Sequence, residues 1–79
     1  PALVGHALAV NEDWNFVILD LGSDKVWEGV ELLVARDNAF VGRLKVTRVA
    51  RNISLAELLP DSAMGSVQVN DRVIPPKEL

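Results

Sequence analysis

His6 is the sole histidine of the 79-residue chain, and there is no cysteine. A zinc or transition-metal centre needs about three or four nitrogen, sulfur or carboxylate ligands held at one point. One imidazole and no thiolate fall short of that set, so His6, in "GHALAV", reads as a surface or internally satisfied histidine. Any Ser–His nucleophile would have to share it. Ser23, Ser54, Ser62 and Ser66 lie in turn-like or strand contexts, with no "GxSxG" elbow among them. Carboxylates gather in "NED" (Glu12, Asp13) and recur at Asp20, Asp24 and Glu28. A calcium loop needs oxygens at dense, fixed spacing, which "GSDK" lacks. Paired carboxylates doing acid–base work need a cleft that the sequence does not disclose. Gly22, Gly29, Gly42 and Gly65 are scattered rather than gathered into a phosphate-cradling loop. Asn52-Ile53-Ser54 matches a glycosylation acceptor by chance. The residues therefore point to no catalytic, cofactor or metal site, and the chain is not expected to be an enzyme.

Two groups remain that could bind a macromolecule. The first is basic: Arg36, Arg43, Lys45, Arg48 and Arg51, within and just after "RDNAFVGRLKVTRV". Nucleic-acid or anion docking through these residues is the alternative functional reading. Against it stand a net charge of −3 and the lack of aromatic residues interleaved on the basic face. The second group is the pair of tryptophans. Trp14 follows the first turn and Trp27 precedes the third apolar run. They read first as plugs for the ends of a small fold. The other reading makes them anchors for a partner, since Trp is enriched at binding hot spots.

The elements that carry these residues are strands nearly throughout. Apolar runs cover Leu3–Val10, Asn15–Leu21, Glu31–Arg36, Phe40–Val49, Ile53–Leu59 and Arg72–Ile74. They are separated by "NED", "GSDK", "DNA", "ARN" and "PDSAMGS". Asp37 and Asn38 are residue types that tolerate positive φ, which suits a hairpin turn. "SLAELL" has helical spacing and a capping-box mimic, but it meets Pro60 too soon to stand as a helix, so the strand is preferred. One helical turn is expected near 61–65, with Asp61 as N-cap and Gly65 as stop. Short strands at regular spacing predict an all-β fold, a small closed or partly closed barrel of about six mainly antiparallel strands.

In a strand, alternate side chains face opposite sides. From Phe40 to Val46 the even positions are apolar or glycine, while Arg43 and Lys45 fall on the other face with Val41. Val49 breaks this parity, so a β-bulge is expected near Thr47–Arg48, returning Val49 to the core and turning Arg48 outward. The basic residues then form the wet face of a hairpin, mixed with carboxylates such as Glu31, Glu57 and Asp20. The expected core is Val10, Phe16, Val17, Leu19, Leu32, Val34, Leu44, Val46, Val49, Leu58 and Val73.

With 49% hydrophobic and 24% charged residues, the composition is that of one folded domain spanning 1–79. No apolar run approaches the ~18 residues of a membrane span, so membrane insertion by this domain is not expected. The N-terminus has neither an initiating Met nor signal-peptide features, and "PPKEL" (75–79) reads as the start of a tail. Both suggest a fragment of a longer protein.

The segments "GHALAVNEDWNFVILDLGS", "GVELLVARDNAFVGRLKVTRV", "SLAELLP" and "VNDRVIP", in that order, resemble a family of small bacterial β-barrel domains. That family includes the C-terminal domain of the flagellar assembly protein T and the C-terminal barrels of coiled-coil envelope-associated proteins. The likeness runs from about Gly5 to Pro75. Its markers are Asn15-Phe16-Val17, Gly22-Ser23, the "RDN…VG" hairpin with Gly42, and Asp71-Arg72-Val73. Two positions depart from the family pattern. Asn70 stands where the family usually has glycine before the "DRV" aspartate. "DKV" stands where it usually has Asp-Gly-Val, and Lys25 suits a left-handed backbone less well than Asn70 does, so that turn is expected to be altered. The resemblance implies a non-enzymatic structural or protein-interaction module, the C-terminal end of a larger envelope-associated or periplasmic protein. It implies protein partners and no catalytic residues to carry over; self-association is expected because small domains often pair through leftover apolar surface, and neither a cofactor nor a small-molecule substrate is expected.

Overall fold

The computed structural model describes residues 4–76. Six strands, β1 (Gly5–Asn11), β2 (Phe16–Leu19), β3 (Glu31–Arg36), β4 (Ala39–Val49), β5 (Ser54–Leu58) and β6 (Arg72–Ile74), form one antiparallel barrel. Around it they run β1-β2-β5-β4-β3-β6, and β6 closes back onto β1. Closure pairs β6 with one end of β1, which shortens the open edge that would pose an aggregation hazard in so small a domain. The expected β3 and β6 match their observed bounds, and the others shift by one or two residues at their ends. "SLAELL" is a strand. The expected position Leu3, like the tail residues 77–79, lies outside the described residues.

The turns follow from residue type. Asp37 and Asn38 take φ of 52° and 67°, giving the two-residue primed turn whose twist suits a β-hairpin. Asn15 (φ 58°) ends the first hairpin loop, and Asn70 (φ 77°) does what a glycine would do before Asp71. The Lys25 turn needs no left-handed residue, because Lys25 N–H and Val26 N–H both donate to the Gly22 carbonyl, at 3.0 and 3.1 Å. Gly22 is required for a different reason. A Cβ there would lie 1.9 Å from the Arg51 carbonyl oxygen, so the β2–β3 loop seats directly on the β4–β5 turn.

The helical turn differs from expectation. It is a single 3₁₀ turn, Pro60–Ser62, preceded by Leu59 and ended at Ala63; Asp61 sits inside it rather than capping it. Pro60 supplies the first-position φ and has no N–H to leave unpaired, so the turn starts at the proline.

Ala7, Val17, Leu19, Leu21, Val26, Leu32, Val34, Val41, Leu44, Val46, Ala56, Val67 and Val73 form one buried cluster inside the barrel. Val10, Val30, Val49 and Leu58 pack against it partly buried. On β4, Leu44 and Val46 point inward while Arg43 and Lys45 are exposed, as alternation predicts. The ladder slips between Val46 and Arg48, which is the bulge expected from Val49.

Two further bulges went unread, and the one on β4 explains why Phe40 and Val41 were misassigned. β4 carries an extra residue where Val34 pairs with Gly42 but Ala35 pairs with Phe40. The slip turns Val41 into the core and leaves Phe40 half-buried, the reverse of simple parity. On β1 the ladder slips between Ala7 and Ala9, leaving Leu8 exposed. Phe16, expected in the core, is 38% exposed. It alternates with the buried Val17 and Leu19, and so faces outward at the start of β2.

Candidate interaction surface

The five basic residues do not form one stripe. Arg36 ends β3 and is half-buried, and its side chain turns along the barrel to Asp71 at the start of β6. Arg36 Nε donates to Asp71 Oδ1 at 2.7 Å, Nη2 donates to Oδ2 at 2.8 Å, and Nη2 also donates to the Ser66 carbonyl at 2.8 Å. The backbone N–H of Gln68 donates to the same carboxylate at 2.8 Å. This fork holds the Asp71 carboxyl below the usual carboxylate range, with the Arg36 hydrogen bonds the main cause and the Gln68 N–H a further one, against an opposing effect of burial. The same contact raises the Arg36 guanidinium. Arg36 is therefore a latch between β3 and the segment leading into β6, and the expectation that it belongs to a solvated basic face is corrected.

Two of the remaining basic residues, Lys45 and Arg43, meet carboxylates. A row of paired residues crosses five strands as Asn11, Phe16, Glu57, Lys45 and Glu31, which sets Lys45 between two acids. The Arg43 guanidinium lies 3.6 Å from Glu31, with both side chains about half exposed, a contact of small energetic value. Arg48 and Arg51 are exposed farther along, on the bulge and in the β4–β5 turn. His6 sits on the outer face, where Asp20 Oδ1 accepts its backbone N–H at 2.6 Å and Asp20 Oδ2 lies 3.4 Å from Nδ1. Among the described residues, no three His, Cys, Asp or Glu side chains come together to hold a metal.

The tryptophans do not plug the barrel. Trp14 is 71% exposed and Trp27 65% exposed, and the inner cluster is complete without either. Trp14 is held at the tip of the β1–β2 turn, where its backbone N–H donates to Asn11 Oδ1 at 3.2 Å. Trp27 stands in the β2–β3 loop beside Gly29, which takes φ 94°. Both loops are braced by backbone hydrogen bonds, among them Val30 N–H to the Trp27 carbonyl at 3.2 Å and Leu58 N–H to the Asn15 carbonyl at 2.9 Å. The indoles are thus presented on braced turns. Met64, Ile53, Leu8 and Val69 add further exposed apolar surface.

A cleft of about 290 Å³ opens at the Trp14 end of the barrel, between β1 and the residues that follow the 3₁₀ turn. Val10, Glu12, Phe16, Leu58, Ser66 and Val67 are among its walls. Sequence reading missed it because its two sides are far apart in the chain and meet only once β6 has closed the ring. Asp71 was visible only as a marker of the closing motif, with nothing to link it to Arg36. No protein-family model, no curated protein and no solved structure matches this chain.

Proposed function

We propose that this chain is a non-enzymatic protein-interaction module, a small barrel carried by a larger bacterial envelope-associated protein. The observation that carries the interaction reading is the placement of Trp14 and Trp27. A core this small leaves both of its large indoles in water, on braced turns, where burial against a partner is their largest available stabilisation. Fully burying a large apolar side chain is worth about 1.5–3 kcal/mol, and tryptophan is over-represented among residues that dominate interfaces. The envelope setting rests on the sequence resemblance alone. The nucleic-acid reading is the weaker one: Arg36 is committed to Asp71, Lys45 and Arg43 stand beside Glu57 and Glu31, and the net charge is −3.

Site-specific photo-crosslinking in the native host tests this. A photoreactive residue replacing Trp14 or Trp27 is expected to capture the same discrete protein repeatedly, whereas one replacing Arg43 or Arg48 captures little. Capture of nucleic acid through the β4 positions, with no protein at the indole positions, contradicts the proposal.

A further inference from the structure

β6 spans only Arg72–Ile74 and pairs with β1 only at Gly5 and His6. The contact extends one residue further, through Ala7 N–H to the Asp71 carbonyl (3.0 Å) and Asn70 N–H to the Ala7 carbonyl (2.8 Å). Among the described residues, the backbone hydrogen bonds on that side of β1 stop there, although β1 runs on to Asn11. In an antiparallel ladder, successive residues turn their N–H and C=O groups to opposite sides. Part of the Leu8–Asn11 backbone therefore faces away from β2 with no strand beside it. The barrel is closed at one end of β1 and split at the other.

The split is the cleft. Its far wall is pinned away from β1: Met64 N–H donates to the Val41 carbonyl at 2.8 Å, and the Ser66 carbonyl accepts Arg36 Nη2 at 2.8 Å. Its floor is the end of the core, with Val67 buried and Val10 and Leu58 packed against the inner cluster. At about 290 Å³ it has room for one or two large apolar side chains. Among the described residues, Glu12 is the only charged one lining it, and Asp13 adjoins the rim. None of the described Lys or Arg residues lines either part. Trp14 on the β1–β2 turn and Phe16 at the start of β2 stand nearby, both partly exposed, and an aromatic face suits a cation.

We infer that this cleft takes an extended peptide segment of a partner protein, added as a short strand along Leu8–Asn11. The segment places an apolar side chain over Val10, Leu58 and Val67, and a flanking lysine or arginine against Glu12, Asp13 and Trp14. An unpaired strand edge calls for an occupant with its own backbone donors and acceptors, the mode of strand addition. The acidic rim in a chain of net charge −3 selects a basic segment over an acidic one. This inference rests on the protein-interaction reading and adds where the partner binds and what it is made of.

The test is an NMR titration of the ¹⁵N-labelled chain with two capped hexapeptides, acetyl-Lys-Val-Lys-Leu-Lys-Val-amide and its counterpart with Glu at each Lys. The basic peptide is expected to give saturable shifts at the amides of Val10, Asn11, Glu12, Ser66 and Val67, and to slow amide exchange within Leu8–Asn11. The acidic peptide is expected to bind about tenfold more weakly at low salt. Glu12→Lys, an exposed substitution, should leave the melting temperature unchanged and reverse that order. Equal binding of both peptides, no saturable shift up to millimolar concentration, or shifts confined to β4 or the Trp27 loop would overturn the inference. The broader reading fails separately: if the cleft stays silent while the Trp27 crosslinker captures a protein, only the cleft assignment falls.

Discussion

Removing the Asp71 carboxylate probes the least obvious feature of this fold, the latch that ties β3 to the approach of β6. Asp71 is 4% exposed and accepts three hydrogen bonds, two from Arg36 at 2.7 and 2.8 Å and one from Gln68 N–H at 2.8 Å. Charge-assisted hydrogen bonds contribute about 1.5–3 kcal/mol each, and bonds sharing one acceptor do not add. Stripping one partner from a fully buried pair costs about 3–5 kcal/mol. Arg36 is 37% exposed and recovers water when Asp71 is lost, so Asp71→Ala should cost less, about 2–3 kcal/mol. A domain of this length has about 4–12 kcal/mol in total, so urea unfolding should show a large loss, equivalent to a melting shift of roughly 10–20 °C. The acid limb gives a second reading. The folded carboxyl is held below its ordinary value of 3.8, so its contribution is fully present above that value and disappears as pH falls through the lower folded one. Wild type and Asp71→Asn should therefore differ near neutrality and converge in strong acid. A loss below about 0.5 kcal/mol at pH 7, within the range of ordinary surface changes, would refute the latch.

Leu44→Ala, at a position with no exposure, should cost about 2–5 kcal/mol in the same unfolding assay; a negligible loss would mean that β4 is inside out. Gly22→Ala puts a methyl group 1.9 Å from the Arg51 carbonyl oxygen, and the backbone shift it forces should cost more than the roughly 1–3 kcal/mol of ordinary overpacking, measured as a lowered urea midpoint or loss of soluble protein. Trp14→Ala and Trp27→Ala should each change stability by no more than about 0.5 kcal/mol, since neither indole contributes to the inner cluster; a multi-kcal/mol loss at either would return it to the core.

Alternation carried most of the fold because a barrel with one wet face needs it. Leu44 and Val46 against Arg43 and Lys45 could be assigned without coordinates, and the failure of parity at Val49 marked a real bulge. The bulges at Val41 and Leu8 left no such mark, since valine and leucine look equally at home on either face of a strand. Phe16 misled for a related reason: size and hydrophobicity argue for burial, but its position relative to Val17 and Leu19 decides. Turn chemistry was readable at Asp37, Asn38 and Asn70, whose short side chains tolerate positive φ. The candidate surface was much less legible. Arg36 and Asp71 sit 35 residues apart, and nothing local pairs them. The cleft depends on how short β6 is compared with β1, a property of the closed ring rather than of either segment.

The interaction reading depends above all on both indoles being surplus to the core. Acrylamide quenching of tryptophan emission, measured on Trp14→Phe and Trp27→Phe so that each variant reports one indole, tests this in the isolated chain. The prediction is red-shifted emission with quenching close to that of free indole in both variants. Blue-shifted, quencher-protected emission from either one would contradict it, and that indole would belong to the barrel rather than to a partner.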